Sequence, residues 1–139
     1  PNVEAQMDPR LFDHKPDLCC ALRKVEPMER AIQELQPRAI LNARARFQSS
    51  TRQALPAIEW DQTPIRINPL AFWSLQKIEA YAKHYNVPQN PLYHMGYTSI
   101  GCRPCTRPII KGEHIRAGRW SDQDKQECGL WTRDYAALR

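Results

Sequence analysis

An α/β fold is the class this sequence predicts, and three observations carry it. Short apolar runs of strand length stand at 39–42, 57–60 and 65–67. Segments with apolar residues at helical spacing precede and follow them, so strand and helix alternate. From Asn90 onward periodicity is lost and Pro, Gly and polar residues dominate, which predicts a loop-rich C-terminal region.

Each element has its own signal. Residues 1–16 are polar, hold three prolines and read as a leading loop. Asp17 is placed to cap a short helix whose apolar residues Leu18, Leu22 and Val25 follow an i, i+4, i+7 spacing. Pro27 suits the first turn of a second helix, with Met28, Ile32 and Leu35 on one face and Pro37 as its stop. The run Ala-Ile-Leu-Asn at 39–42 predicts a buried strand, and 44–52 a basic polar loop. Two more short strands, 57–60 and 65–67, flank a turn at 61–64. Ser74 caps a helix carrying Leu75, Ile78, Tyr81 and Tyr85, which Asn86 and Pro88 end.

Composition narrows the class of protein. The 139 residues, 42% apolar and 25% charged, exclude collagen-like, low-complexity and wholly disordered chains. Twelve prolines exceed the roughly seven of average usage, so short elements and ordered loops are expected. A net charge of +5 favours an anionic partner, but the cations are not gathered into the dense tracts of a general nucleic-acid surface. No apolar run approaches a membrane span and no signal peptide is visible, which predicts a cytoplasmic protein with no membrane partner. Pro1 stands where Met is expected, so the sequence reads as processed or as a piece of something longer.

Five cysteines form a vicinal pair (Cys19, Cys20), a C-x-x-C (Cys102, Cys105) and a single residue, Cys128. An odd count fits a closed disulfide framework badly. A C-x-x-C suits either a shared metal or dithiol exchange, and a vicinal pair by itself reads equally as two small buried hydrophobes. Taken together, two pairs separated by 82 positions depart from zinc-ribbon spacing. Adjacent thiolates diverge, which suits the separate iron corners of a [4Fe–4S] cube better than one tetrahedral zinc. Arg23 and Lys24 follow the first pair, and Arg103 and Arg107 bracket the second, where cations would offset buried thiolate charge. Cys128, before a glycine, is either an idle surface thiol or a nucleophile served by nearby cations. Arg116 and Arg119, three apart and beside Gly118, can form a fork for phosphate or sulfate.

These segments carry a resemblance. Leu-Cys-Cys-Ala-Leu-Arg-Lys-Val-Glu-Pro (18–27), the stretch 90–107 ending Ser-Ile-Gly-Cys-Arg-Pro-Cys-Thr-Arg, Arg-Ala-Gly-Arg-Trp (116–120) and Glu-Cys-Gly-Leu (127–130) resemble the assimilatory adenylylsulfate (APS) reductases, collinearly from about 18 to 131. The resemblance implies the C-terminal portion of an adenine-nucleotide-hydrolase-like (PP-loop) fold, with a parallel sheet and helices on both faces. It implies one incomplete reductase domain over 1–139, its nucleotide-binding half ahead of residue 1, and a mobile segment at 121–139 carrying Cys128. The implied activity is reduction of adenosine 5′-phosphosulfate to sulfite and AMP, with electrons from thioredoxin or a similar thiol donor. PAPS reductases keep the terminal cysteine but lack the two pairs, so the four-cysteine set favours APS.

Position by position, the resemblance implies that Cys19, Cys20, Cys102 and Cys105 ligate a [4Fe–4S] cluster and that Cys128 attacks the sulfate sulfur. It places Lys24 by the cluster, coupling it to the substrate, and Arg116, Arg119 and Arg46 on the substrate's anionic groups. Ala43 and Ala45 interrupt the arginine-rich segment that holds Arg46, and Trp131 stands where the family has histidine. The alternatives are a PAPS reductase relative, or a non-catalytic zinc module that grips nucleic acid. Neither nucleic acid nor membrane is an expected partner of the reductase, and a homo-oligomer is left open.

Overall fold

The computed structural model describes residues 8–131. They fall into two compact units: residues 8–37 with 127–131, and residues 38–126.

The first unit is a helical run in three registers. A short helix α1, Leu11–His14, occupies part of the expected leading loop, whose residues 1–7 lie outside the described residues. Helix α2, Pro16–Cys20, starts on Pro16, whose fixed φ is pre-organised for a first helical position. Lys15 is therefore the flanking residue, with no side-chain cap, and Asp17 sits inside the first turn instead, favourable to the helix dipole. A π turn, Ala21–Val25, follows, and the Glu26 N–H donates to the Ala21 carbonyl five residues back. Helix α3, Glu26–Leu35, continues without a break.

Pro27 explains the change of register. In an α-helix its ring would press on the Arg23 carbonyl and its missing N–H would leave that carbonyl unbonded. A wider turn just ahead avoids both. The two predicted helices are thus one helical run. Its buried face is Cys19, Cys20, Val25 and Ile32, whereas Leu18 and Leu35, expected on apolar faces, are exposed. Gln36 closes α3 in the left-handed region (φ 44°), donating its N–H to the Ile32 carbonyl, and Pro37 follows.

The second unit holds the sheet. Strands β1 (Ala39–Leu41), β2 (Ile58–Glu59) and β3 (Ile65–Ile67) lie in the order β1-β3-β2. β1 runs parallel to β3, pairing Ala39 with Ile65 and Leu41 with Ile67. β2 returns antiparallel through the predicted turn, pairing Ile58 with Ile67. Strand β1 was expected to be buried, yet Leu41 is 69% exposed. It has a partner on one edge only among the described residues.

The central strand buries charge. Arg66 is 2% exposed and approaches Glu59 at 3.8 Å. Glu59 also accepts from Arg44 and, at 2.9 Å, from Asn68 Nδ2, while Asn68 Nδ2 donates to the Pro56 carbonyl at 2.9 Å. Arg44 reaches Asn42 Oδ1 (2.9 Å) and Asn68 Oδ1 (3.2 Å) as well. Burial pulls the Arg44 guanidinium below its usual pKa, and the Glu59 charge opposes that. This network ties the loop after β1 to both other strands.

Helix α4, Leu75–His84, has the predicted cap: Ser74 Oγ accepts from the Lys77 N–H at 3.2 Å. Asn86, at φ 49°, lets the Val87 N–H return to the Ala82 carbonyl. Its aromatic residues stack on one another instead of filling a core: Trp73 on Tyr81 at 5.5 Å, Tyr81 on Tyr85 at 4.5 Å. Tyr93 Oη donates to Glu79 at 2.7 Å, which holds the next 3₁₀ turn, Pro91–Met95, to the helix. Beyond it the chain is loop with one more 3₁₀ turn, Arg103–Cys105, as the lost periodicity predicts. Among the described residues, no helix is long and apolar enough to cross a membrane.

Candidate functional site

In the second unit the C-x-x-C segment closes on itself. The Cys105 N–H donates to the Cys102 carbonyl at 3.0 Å. Thr106 Oγ1 donates to that same carbonyl at 2.9 Å and accepts from the Gly101 N–H at 3.2 Å. Cys102 and Cys105 therefore share one tight turn, Cys105 buried and Cys102 half-buried.

The arginine segment 116–120 is fastened to this turn. Thr106 and Arg119 form an antiparallel bridge, and the Arg107 N–H donates to the Gly118 carbonyl at 2.8 Å. The Cys105 carbonyl accepts from the Trp120 N–H (3.3 Å) and from Arg119 Nε (3.2 Å). Gly118 permits this closeness, because a Cβ there would collide with the Arg107 carbonyl. The Arg119 guanidinium lies against Gly101 and 4.2 Å over the Trp120 ring, a cation–π stack.

Beside this assembly is a cavity of about 340 Å³ lined by Ser49, Ser50, His114, Arg116, Ala117, Arg119, Trp120, Lys125 and Gln126. Among the described residues, Arg116, Arg119 and Lys125 line it and no carboxylate does, so it suits an anion. Arg116 is set by its own partners: a guanidinium nitrogen donates to the Gln126 carbonyl at 2.7 Å, and its N–H to His114 Nδ1 at 3.3 Å. Lys125 Nζ stands 5.7 Å from the Trp120 ring centre. Arg116 and Arg119 are thus brought together in one cavity.

Arg46 does not line this cavity. Its Nε donates to the Leu55 carbonyl at 2.8 Å and its guanidinium lies 4.2 Å over Phe72. The same segment contributes Ser49 and Ser50 instead. Arg107 was expected to offset thiolate charge. It is instead paired with Glu113 through two bonds of 2.8 and 2.9 Å. Glu113 also accepts from the Ile110 N–H at 2.7 Å, and the Arg107 pairing followed by this bond holds its carboxyl down at about 2.

In the first unit, Cys19 and Cys20 are buried at the end of α2, and Lys24 lies one turn on, within the π turn. Cys128 is a half-buried free thiol, followed by Gly129 at φ 88°, where an added Cβ would meet Val25. The tail expected to be mobile continues through 132–139, outside the described residues.

The donor set fits a thiolate-bound cluster in its chemistry. All five cysteines are free thiols, and three of the four expected ligands are buried. One turn after the vicinal pair, Arg23 Nε is buried without a hydrogen-bond partner, a donor that an adjacent anionic group would satisfy. Among the described residues no three His, Cys, Asp or Glu side chains gather in a group able to hold a metal ion, and each cysteine pair belongs to its own unit.

A mixed sheet, a paired-cysteine turn and a cavity lined by Arg116, Arg119 and Lys125 define an α/β domain with a cysteine pair beside a basic cavity. Residues 2–108 match the family described as phosphoadenosine phosphosulfate reductase domain, and the chain belongs to that family. It is 50% identical over 128 residues to the adenosine 5′-phosphosulfate reductase of Deinococcus radiodurans, covering 92% of this chain and 50% of that protein. It is 42% identical over 125 residues to the phosphoadenosine 5′-phosphosulfate reductase of Gloeobacter violaceus, covering 87% and 51%. Among solved structures, the phosphoadenylyl-sulfate (PAPS) reductase of Candida auris, a phosphate complex, superposes with a TM-score of 0.62 at 38% identity, covering 73% of this chain and 49% of that one. The chain spans about half the length of the curated relatives it matches.

Several site residues escaped the sequence reading. Lys125 and His114 carried no anion-site signal of their own, and Trp120 stood only as the end of the arginine segment. Ser49 and Ser50 carried no periodic or spacing signal; they reach the cavity through two consecutive 3₁₀ turns, Arg46–Gln48 and Ser50–Arg52. Thr106, which shapes the cysteine turn, could have been suspected from its place directly after the C-x-x-C.

Proposed function

We propose that the chain is the C-terminal part of a reductase acting on adenosine 5′-phosphosulfate, with release of sulfite and AMP. The observation that carries this reading is the joining of the arginine segment to the cysteine turn at the edge of a cationic cavity. A sulfate ester resists a thiolate because anionic oxygens shield its sulfur. Arg116, Arg119 and Lys125 lower that repulsion and stabilise the charge as it spreads in the transition state.

The Cys128 thiolate forms a bond to the sulfate sulfur as the bond from sulfur to the phosphate oxygen breaks, and AMP leaves with the electron pair. The product is an S-sulfocysteine. A dithiol donor such as thioredoxin then attacks the Cys128 sulfur, expels sulfite and closes its own disulfide by its second thiol, returning Cys128 as the thiol. Two electrons pass from the dithiol to sulfur, and the balance closes. Cys19, Cys20, Cys102 and Cys105 would hold a [4Fe–4S] cluster, which when bound supplies a fixed charge and a structural tie; Lys24 stands one turn from the first pair. A cytoplasmic setting and an APS preference over PAPS complete the reading.

The test uses a longer form that carries the rest of the family domain. Incubated with adenosine 5′-phosphosulfate and no thiol donor, it yields a sulfo adduct on Cys128 by mass spectrometry, and Cys128→Ser yields none. An adduct formed at normal yield in Cys128→Ser overturns the assignment. Anaerobic preparation is expected to give about four irons per chain with acid-labile sulfide; one zinc without sulfide overturns the cluster and favours the zinc module. Faster turnover of the 3′-phosphorylated nucleotide overturns the APS preference.

A further inference from the structure

His114 lines the cationic cavity from a tethered turn. Its carbonyl accepts from the Ala117 N–H at 2.8 Å, the Ile115 carbonyl accepts from Thr98 Oγ1 at 2.6 Å, and Glu113 just ahead is clamped to Arg107. The imidazole Nδ1 accepts from the Arg116 N–H at 3.3 Å. A ring nitrogen that accepts carries no proton, so the neutral ring holds its proton on Nε2. Nε2 has no protein partner among the described residues, and its N–H is the donor this side chain can offer an occupant of the cavity.

Other donors around the cavity are partly committed to the protein. Arg116 gives a guanidinium N–H to the Gln126 carbonyl at 2.7 Å, Arg119 gives its Nε–H to the Cys105 carbonyl at 3.2 Å, and Ser50 Oγ donates to Gln126 Oε1 at 3.3 Å. Charge draws an anion in without orienting it, whereas a directional N–H fixes where one oxygen sits. With Nδ1 occupied, the ring can only donate, which matches an oxyanion that only accepts, as sulfate does near neutral pH. We infer that His114 is an oxyanion-binding residue of this cavity, donating its Nε2–H to an oxygen of the substrate's sulfo group while Nδ1 stays tied to Arg116. The inference deepens the reading of the cavity as the seat of that group, and rests on it.

Two substitutions separate the two ring nitrogens, and because His114 is exposed neither disturbs the core. In His114→Asn, Oδ1 can still accept from the Arg116 N–H, as in an Asx turn, but the side chain is too short to supply the distal donor. In His114→Gln the distal N–H is kept and the acceptor beside Arg116 is lost. The 139-residue chain and both variants are titrated with sodium sulfate at constant ionic strength and followed by calorimetry. His114→Asn is expected to bind sulfate about tenfold more weakly than the parent, and His114→Gln within about twofold of it. Unchanged affinity in His114→Asn overturns the inference. So does a loss confined to His114→Gln, or equal in the two, which would make the ring only a prop for Arg116. Heteronuclear NMR of the parent at about pH 8 is expected to show Nε2 protonated and Nδ1 bare; the opposite tautomer also overturns it. A parent that binds no sulfate refutes the reading of the cavity itself, and this inference with it, a failure separate from those of the variants.

Discussion

Replacing Gly118 by alanine tests the joint between the arginine segment and the cysteine turn. A Cβ at 118 would overlap the Arg107 carbonyl oxygen and stand 3.2 Å from its carbon, both backbone atoms that cannot swing aside. The strand-like pair must separate, which removes the 2.8 Å bond from the Arg107 N–H to the Gly118 carbonyl and disturbs the Thr106–Arg119 bridge. Overpacking of this kind costs about 1–3 kcal/mol, and a lost backbone hydrogen bond about 1 kcal/mol more. Gly118→Ala should therefore lower the unfolding free energy by about 2–4 kcal/mol, a large share of the roughly 5–15 kcal/mol of an ordinary domain. Urea titration followed by tryptophan fluorescence measures it, since Trp120 is buried next to the joint. A loss under about 0.5 kcal/mol with an unchanged slope would mean the two segments are not held by this contact.

Gly101→Ala provides the contrast, because the three atoms nearest its Cβ all belong to the Arg119 guanidinium, the end of a flexible side chain. Stability should change by less than about 1 kcal/mol, while calorimetry should show affinity for inorganic sulfate falling about tenfold as Arg119 is displaced. Asn68→Ala removes a wholly buried amide bonded to Pro56 and Glu59, and should cost about 2–4 kcal/mol in urea unfolding; a loss below about 1 kcal/mol would mean the network is dispensable. For Glu113 the folded carboxyl is depressed to about 2 from its ordinary 4.5, so its contribution is whole above about 4.5 and lost as pH falls toward 2. The difference in urea midpoint between the parent and Glu113→Gln should accordingly shrink across that window, and a difference independent of pH would contradict the pairing.

What the sequence revealed and what it hid divide along physical lines. Ser74, Asn86 and the turn at 61–64 act within a few residues of themselves, and their elements stand where local rules put them. Arg66 was hidden because Ile-Arg-Ile reads as a strand with one exposed charge; the carboxylate of Glu59, brought alongside by β2, offsets the charge it buries. Arg116 and Arg119 were legible as an anion fork, but the Arg119 bond to the Cys105 carbonyl spans fourteen residues of loop that no periodicity describes. Arg46 was drawn elsewhere by Phe72 and the Leu55 carbonyl, neighbours set by tertiary contact alone.

The π turn at Ala21–Val25 acts as a single inserted residue, and it resets the phase of everything after it. Cys20 and Ile32 are twelve positions apart, and at about 100° per residue an unbroken α-helix would set them about 120° apart around the axis. With one residue absorbed in the wide turn the offset falls to about 20°, so both face inward, as their burial records. Deleting one residue between 21 and 25 would therefore turn Ile32 away from the cysteine face, whereas the same deletion after Gln36 would leave that face aligned.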